Sequence, residues 1–357
     1  MADLPGLQRA SIIGTGLIGG SIGLALRAHG WHVSGTDLEP QAAQRALELG
    51  AIDSIGLDPT STITFVCAPV RSIPDEVARA LASTTGTVTD VGSVKASVVG
   101  AVANARFIGG HPMAGSEQLG VEGATPDLFE GAVWVLTPVA GTDSDHYSVV
   151  ASVVRLLGAE VVALAPDRHD ALVAVVSHVP HLAAAALMGI ADERAEEHVA
   201  LLRLAAGGFR DMTRIAAGTP TIWPDICAEN QNAIVEVIDR LVLELGEMRA
   251  MVADGQRDRL LATLERAQQA RRNLPSRVVH PEEVAEVRIP VPDRDGVIAD
   301  VTTFASEMAI NIADIEIAHS SEGDRGVLIL LVDTARAEAF RIGLVERGYR
   351  PAVQYLG

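Results

Sequence analysis

Arg210, Asp211 and Arg214 fall within five residues of the run Gly207 to Ala216, in a stretch otherwise rich in Ala and Leu. If that run is helical, Arg210 and Arg214 stand i,i+4 and Asp211 and Arg214 i,i+3, so the three share a face. A guanidinium presents a planar fork of donors suited to a carboxylate or phosphate, and Asp211 can steady one arginine while the other meets a ligand. In isolation such a run reads as a solvated charged face. The other polar groups of the chain favour a binding role.

Gly14, Thr15, Gly16, Leu17, Ile18 and Gly19 form a G-x-G-x-x-G run between a β-type segment and a helical one. Its glycines permit a tight turn, close approach of backbone to a pyrophosphate, and packing of helix on strand. Asp37 ends the next β-type run at the spacing of an acid that binds an adenosine ribose. It would repel a 2′-phosphate, and Leu38, Glu39 and Pro40 offer no arginine to welcome one, so the expected cofactor is NAD and not NADP. Ala68 and Pro69, and further on Gly92, Ser93, Val94 and Lys95, follow two more strand-like runs, where ligands bind in open α/β sheets. Ser93 suits either a hydrogen bond to substrate or a helix N-cap.

His111, within the glycine-rich run Gly109 to Glu117, is a candidate acid/base because imidazole titrates near neutrality. A second histidine group is Ser177, His178 and His181, with Pro180 unable to donate to the Val176 carbonyl, so a kink or helix break is expected. A metal site at His178 and His181 is not favoured, since no carboxylate or cysteine stands at a compelling ligand spacing.

These groups need elements to hold them. Short β-type runs alternate with amphipathic helices up to about residue 166, which predicts a parallel, doubly wound Rossmann-type sheet over 1–166. Long Ala/Leu/Val patterns over 167–270 predict an all-helical second domain, the one to which the resemblance described below assigns substrate binding and dimerisation. Residues 271–283, with Pro275 and Pro281, read as a linker. The pattern over 284–357 is βαββαβ, a ferredoxin-like arrangement.

The 357 residues carry 28 Lys+Arg against 46 Asp+Glu, a net charge of −18, which argues against nucleic acid and anionic membrane as partners. An anionic substrate then needs a local positive site. Two cysteines suit a reducing cytoplasm, and no signal peptide is read at the N-terminus. Ala171 to Ile190 has the length of a membrane span, but Ser177, His178, Pro180 and His181 at its centre favour a buried helix, expected at a subunit interface.

In order along the chain, the glycine fingerprint, Gly-Ser-Val-Lys at 92–95, Gly-Gly-His-Pro-Met-Ala-Gly at 109–115, Ser-His-Val-Pro-His at 177–181 and Phe-Arg-Asp-Met-Thr-Arg at 209–214 resemble the prephenate and arogenate dehydrogenase family of tyrosine biosynthesis. The final segment, entered through Pro292 to Gly296, resembles an ACT regulatory domain. The resemblance implies oxidative decarboxylation of prephenate by NAD to 4-hydroxyphenylpyruvate, with arogenate as the alternative substrate. It implies His111 at the substrate hydroxyl with Ser93 orienting it, and Arg214 on a carboxylate with Asp211 in support. It also implies His181 and Ser177 near the ring, Ser116 and Glu117 at the mouth, Trp223 lining the site, and Lys95 adding positive charge. A homodimer through the helical domain and inhibition by an aromatic amino acid are the further expectations. A β-hydroxyacid dehydrogenase would need a lysine in the helical domain, and the single lysine of the chain is Lys95. A non-catalytic NAD and amino-acid sensor would have no need for His111, His181 and Arg214 to converge.

Overall fold

The computed structural model of the chain describes residues 8–115, 118–197, 207–273, 284–292, 294, 296–319 and 325–355. It divides into two compact units, residues 1–183 with 215–242 and residues 184–214 with 243–357.

The first unit is built on an eight-stranded sheet. Its strands are β1 (Arg9–Ile13), β2 (His32–Thr36), β3 (Ser54–Ile55), β4 (Ile63–Val66), β5 (Thr87–Asp90), β6 (Phe107–Pro112), β7 (Val133–Thr137) and β8 (Glu160–Ala163), in the spatial order β3-β2-β1-β4-β5-β6-β7-β8. Helices α1 (Leu17–Ala28), α2 (Pro40–Glu48), α3 (Ile73–Ser83), α4 (Ala96–Ala101) and α5 (Ser144–Leu156) alternate with them. β4 and β5 are buried along their whole length, as expected of strands covered on both faces. Ile12, Ile22, Leu26, Phe65 and Trp134 belong to one core cluster, while Val66, Ile73, Val77 and Val88 belong to another.

The chain reverses its strand order between β1 and β4. The loops leaving those two strands, at Gly14 and Cys67, therefore flank the switch point where doubly wound sheets bind ligands. One pair departs from the expected parallel sheet: β6 and β7 are antiparallel. Among the described residues between them only a 3-10 turn at Val121–Gly123 intervenes. Without a crossover helix the chain returns in the opposite direction. β3, two residues long, carries no alternation that a sequence pattern could register. β6 runs to Pro112, so His111 sits within the strand, paired with Val135.

Helix α6 (Pro166–Val173) passes through a π-helical turn at Ala174–His178 into α7 (Val179–Glu197), and the expected interruption before Pro180 takes that form. Pro180 then lies in the first turn of α7, where its missing N–H is tolerated. The stretch Pro166–Arg194 has the length and hydropathy of a membrane span. Its His169, Asp170 and His178 side chains are buried inside the protein, while 28% of its apolar window is buried and Val175, Val176 and Ile190 are exposed, so the helix is less covered than expected. α9 (Trp223–Glu229) and α10 (Gln231–Ala253) follow a helix of the second unit, and Ala174, Val179 and Ile234 form a small core with Leu182 and Cys227.

The second unit contains α8 (Gly207–Thr213), α11 (Arg257–Arg272), and a separate sheet with two helices. These are β9 (Val284–Pro292), α12 (Val297–Glu307), β10 (Ile312–His319), β11 (Arg325–Asp333), α13 (Thr334–Glu346) and β12 (Ala352–Tyr355). The sheet order is β10-β11-β9-β12, antiparallel throughout. Val287, Ile289, Leu328 and Leu330 pack against Val301 and Phe340. Two boundaries differ from expectation. α11 continues through Arg271 and Arg272, and α8 gives way at Arg214 to a 3-10 turn, Arg214–Ala217. Arg210 and Arg214 are thus not neighbours on one continuous α-helical face.

Candidate active site

The glycine loop shows three separate reasons for glycine. Gly14 has φ +92°, and a Cβ there would run into the Cys67 carbonyl. A Cβ on Gly19 would meet the Gly14 carbonyl and Ile12, so this glycine seats α1 on β1. A Cβ on Gly16 would meet nothing within 4 Å. Its requirement therefore comes from whatever occupies the space outside, which is the cradle a pyrophosphate fills. α1 opens at Leu17 with no side-chain cap, leaving a helix N-terminus to meet an anion. Thr15 and Asp37 join the loop to β2: the Thr15 amide and hydroxyl donate to Asp37 Oδ2 at 2.7 and 3.2 Å. These features fit a dinucleotide.

From Gly16, Leu17, Ile18 and Gly19 a cleft of about 750 Å³ continues past Ala68 and Pro69 to Ser93, His111, His181 and Trp223. Cofactor loop and candidate base thus face one space. His181 is half-buried and stacks on Trp223, ring centroids 3.6 Å apart and 11° between planes. Burial lowers the His181 imidazole below its ordinary value. Ser177, in the π-helical turn, is half-buried and does not line the cleft.

Behind His111 lies a buried network that sequence reasoning missed. His111 Nδ1 is 2.8 Å from His169 Nε2, and His169 Nδ1 is 2.7 Å from Asp170 Oδ1. Asp170 also accepts the Lys95 amide on Oδ1 and the Ala96 amide on Oδ2, each at 2.8 Å. It thereby caps α4, so Ser93 is not the N-cap of that helix. Asn230 donates to the Asp170 carbonyl at 2.9 Å and lies 3.2 Å from His178 Nδ1, which must accept because the carbonyl fixes the amide orientation. His178 titrates at about 4, lowered chiefly by burial. The His111 imidazole is held well below its ordinary value by burial first, then by His169, Lys95 and His178. The imidazole is therefore uncharged at neutral pH.

Lys95 corrects an expectation. Its side chain is fully buried, and its ammonium is engaged by Asp90 and by the Gly110 carbonyl at 2.8 Å. Asp90 in turn accepts the Gly92 and Gly110 amides. Lys95 therefore pins the ends of β5 and β6 beneath the cleft and does not line it. Burial pulls its ammonium down, opposed by Asp90 and Asp170.

Ser116 and Glu117 lie outside the described residues. Arg210, Asp211 and Arg214 are exposed in the second unit, and Ile215, the residue after Arg214, lines the cleft of the first. The signal that was available for the missed network is the adjacent pair His169-Asp170 at the entry to the helical region.

Residues 22–163 match the family described as prephenate dehydrogenase, nucleotide-binding domain, and residues 165–266 its dimerization domain. The chain is 33% identical to a prephenate dehydrogenase of Bacillus subtilis over 334 residues, 89% of this chain and 90% of that protein. Among solved structures it is similar to a prephenate dehydrogenase of Aquifex aeolicus in complex with hydroxyphenyl propionate and NAD+. That match has a TM-score of 0.71 at 31% identity and covers 77% of this chain and 100% of that one. It is also similar to an arogenate dehydrogenase of Synechocystis, with a TM-score of 0.65 at 29% identity, covering 74% of this chain and 99% of that one. The glycine loop, the histidine-bearing cleft and these likenesses agree: the chain is an oxidoreductase that belongs to the prephenate dehydrogenase family.

Proposed function

We propose that this chain oxidises prephenate with NAD, forming 4-hydroxyphenylpyruvate, carbon dioxide and NADH. The observation that carries the reading is the single cleft joining Gly16 and Gly19 to His111, His181 and Trp223. Gly14 to Gly19 would hold the pyrophosphate, Asp37 the ribose hydroxyls, and Ala68 and Pro69 would border the cofactor. When bound, NAD supplies the acceptor for the hydride of the hydroxyl-bearing ring carbon. His111 receives the hydroxyl hydrogen as carbonyl character develops there. The ring carboxylate leaves as carbon dioxide, its bonding pair restores aromaticity, and His111 returns the hydrogen to the phenol oxygen. Ser93 steadies the hydroxyl. Arg214, supported by Asp211, takes a carboxylate. His181, stacked on Trp223, bounds the ring. Lys95 acts from beneath, through Asp90.

The likeness to a Synechocystis arogenate dehydrogenase supports a second reading, in which arogenate is oxidised directly to tyrosine. Turnover measured with prephenate and with arogenate, each paired with NAD and NADP, separates the two. Prephenate with NAD is expected to be fastest, and a preference for arogenate moves the assignment. The match to a dimerization domain supports a homodimer, and α10 and α11 carry the exposed apolar side chains Leu243, Leu245, Leu261 and Leu264. The antiparallel sheet of β9 to β12 supports reading 284–357 as an ACT-like regulatory domain, with the division 1–166, 167–270, 271–283 and 284–357 as the domain plan. Saturating tyrosine or phenylalanine is expected to lower the rate, and an unchanged rate with no bound amino acid overturns that part.

A further inference from the structure

The polar contacts behind His111 leave little freedom in where protons sit. Asp170 accepts a backbone amide on each carboxylate oxygen, so it offers only acceptor capacity to His169. His169 Nδ1 must then carry a hydrogen and donate it at 2.7 Å. With His169 in its neutral form, one ring nitrogen donates and the other accepts, so Nε2 is the acceptor. It faces His111 Nδ1 at 2.8 Å, which in that arrangement is the N–H. The bare lone pair of His111 is left on Nε2, on a ring that lines the cleft. His169 is fully buried and Asp170 nearly so, which shields the sequence from solvent that could supply another donor or acceptor.

We propose that Asp170 and His169 are positioning residues that act in series: they fix His111 in its Nδ1–H tautomer and aim its Nε2 lone pair at the substrate hydroxyl. When Nε2 takes up the hydroxyl hydrogen, the positive charge forms on a ring whose Nδ1–H already donates to His169, and the carboxylate behind His169 offsets it. No hydrogen needs to leave the chain of bonds, so return to the phenol oxygen is direct. The arrangement extends the logic of an aspartate that orients a catalytic histidine by inserting a second imidazole between them. The role in turnover rests on the reading of His111 as the base; the tautomer assignment does not.

The test is long-range proton–nitrogen NMR on the full chain labelled at histidine, near neutral pH, with His111 assigned by its Asn variant. The expected spectrum shows His111 protonated on Nδ1 and bare on Nε2. A hydrogen on Nε2 overturns the proposal. In His169→Phe the His111 signal is expected to move toward the other tautomer, and kcat to fall by about tenfold to a hundredfold with KM for substrate little changed. His169→Gln, whose side-chain oxygen can accept from Nδ1–H, is expected to recover part of the rate. An unmoved His111 tautomer in folded, NAD-binding His169→Phe also overturns the proposal. If that variant does not fold, the tautomer in the unaltered protein still decides. Full activity of His111→Asn alongside the expected tautomer would overturn the base reading and leave the positioning assignment supported.

Discussion

The glycine loop and His111 face the same cleft but are assembled at different ranges. Gly14 to Gly19 are neighbours in sequence, and their geometry is a property of backbone: a positive φ at Gly14, a close contact at Gly19, open space at Gly16. His111 is oriented by His169, 58 positions away, and the carboxylate behind it caps the amide of Lys95, 75 positions from Asp170. A local site tolerates change in the rest of the chain as long as the strand, turn and helix persist. A site made by long-range hydrogen bonds depends on several elements meeting, and each buried member left unpaired carries a desolvation cost.

The largest effect should come at the base. His111→Asn is expected to lower kcat by about 10²- to 10⁴-fold while NAD affinity stays near that of the unaltered protein. A retained rate would place the base elsewhere. The same histidine makes a pH prediction. Because its pKa is depressed, the neutral, hydrogen-accepting form persists as pH falls through the ordinary histidine value. The acid limb of kcat/KM should therefore lie below about pH 6.5, and a limb above it would contradict the burial argument. Next in size is Lys95→Met, which leaves Asp90 as a buried charge without its ammonium. A loss of about 3–5 kcal/mol in denaturant unfolding is expected.

The loop supplies the sharpest contrast. Gly14→Ala should cost about 1–2 kcal/mol of stability or more, because the backbone is left-handed and the added carbon meets the Cys67 carbonyl. Gly16→Ala should leave the unfolding midpoint nearly unchanged and weaken NAD binding, since the added carbon points into open space. Equal stability loss in both would erase the distinction between a glycine kept for the chain and one kept for a ligand. The smallest effect belongs to Trp223→Leu, which removes the stack on His181. About 0.5–1.5 kcal/mol is at stake, read as a rise in KM for the ring substrate with little change in NAD affinity.

The same contrast explains what could be read before any fold was known. The strand, glycine turn, helix and Asp37 follow one another in sequence, and the structure forms β1, the loop, α1 and β2 in that order. His111 was identifiable because glycines flank it, and His181 because Pro180 interrupts an apolar helix. Asp90 gave no signal, as an acid ending a buried strand reads like any other until Lys95 is brought against it. Lys95 itself was misread for the same reason: a lone cation in an acidic protein suggests ligand binding, and only packing shows that a carboxylate already holds it. The reversal at β7 was hidden because direction is set by the connection, and a strand pattern is the same read either way.

One measurement bears most directly on the account: the full chain mixed with NAD and prephenate, with NADH absorbance and released carbon dioxide followed together. The account predicts equal amounts of the two, both nearly abolished in His111→Asn. Folded protein that binds NAD but forms neither product from prephenate would contradict it.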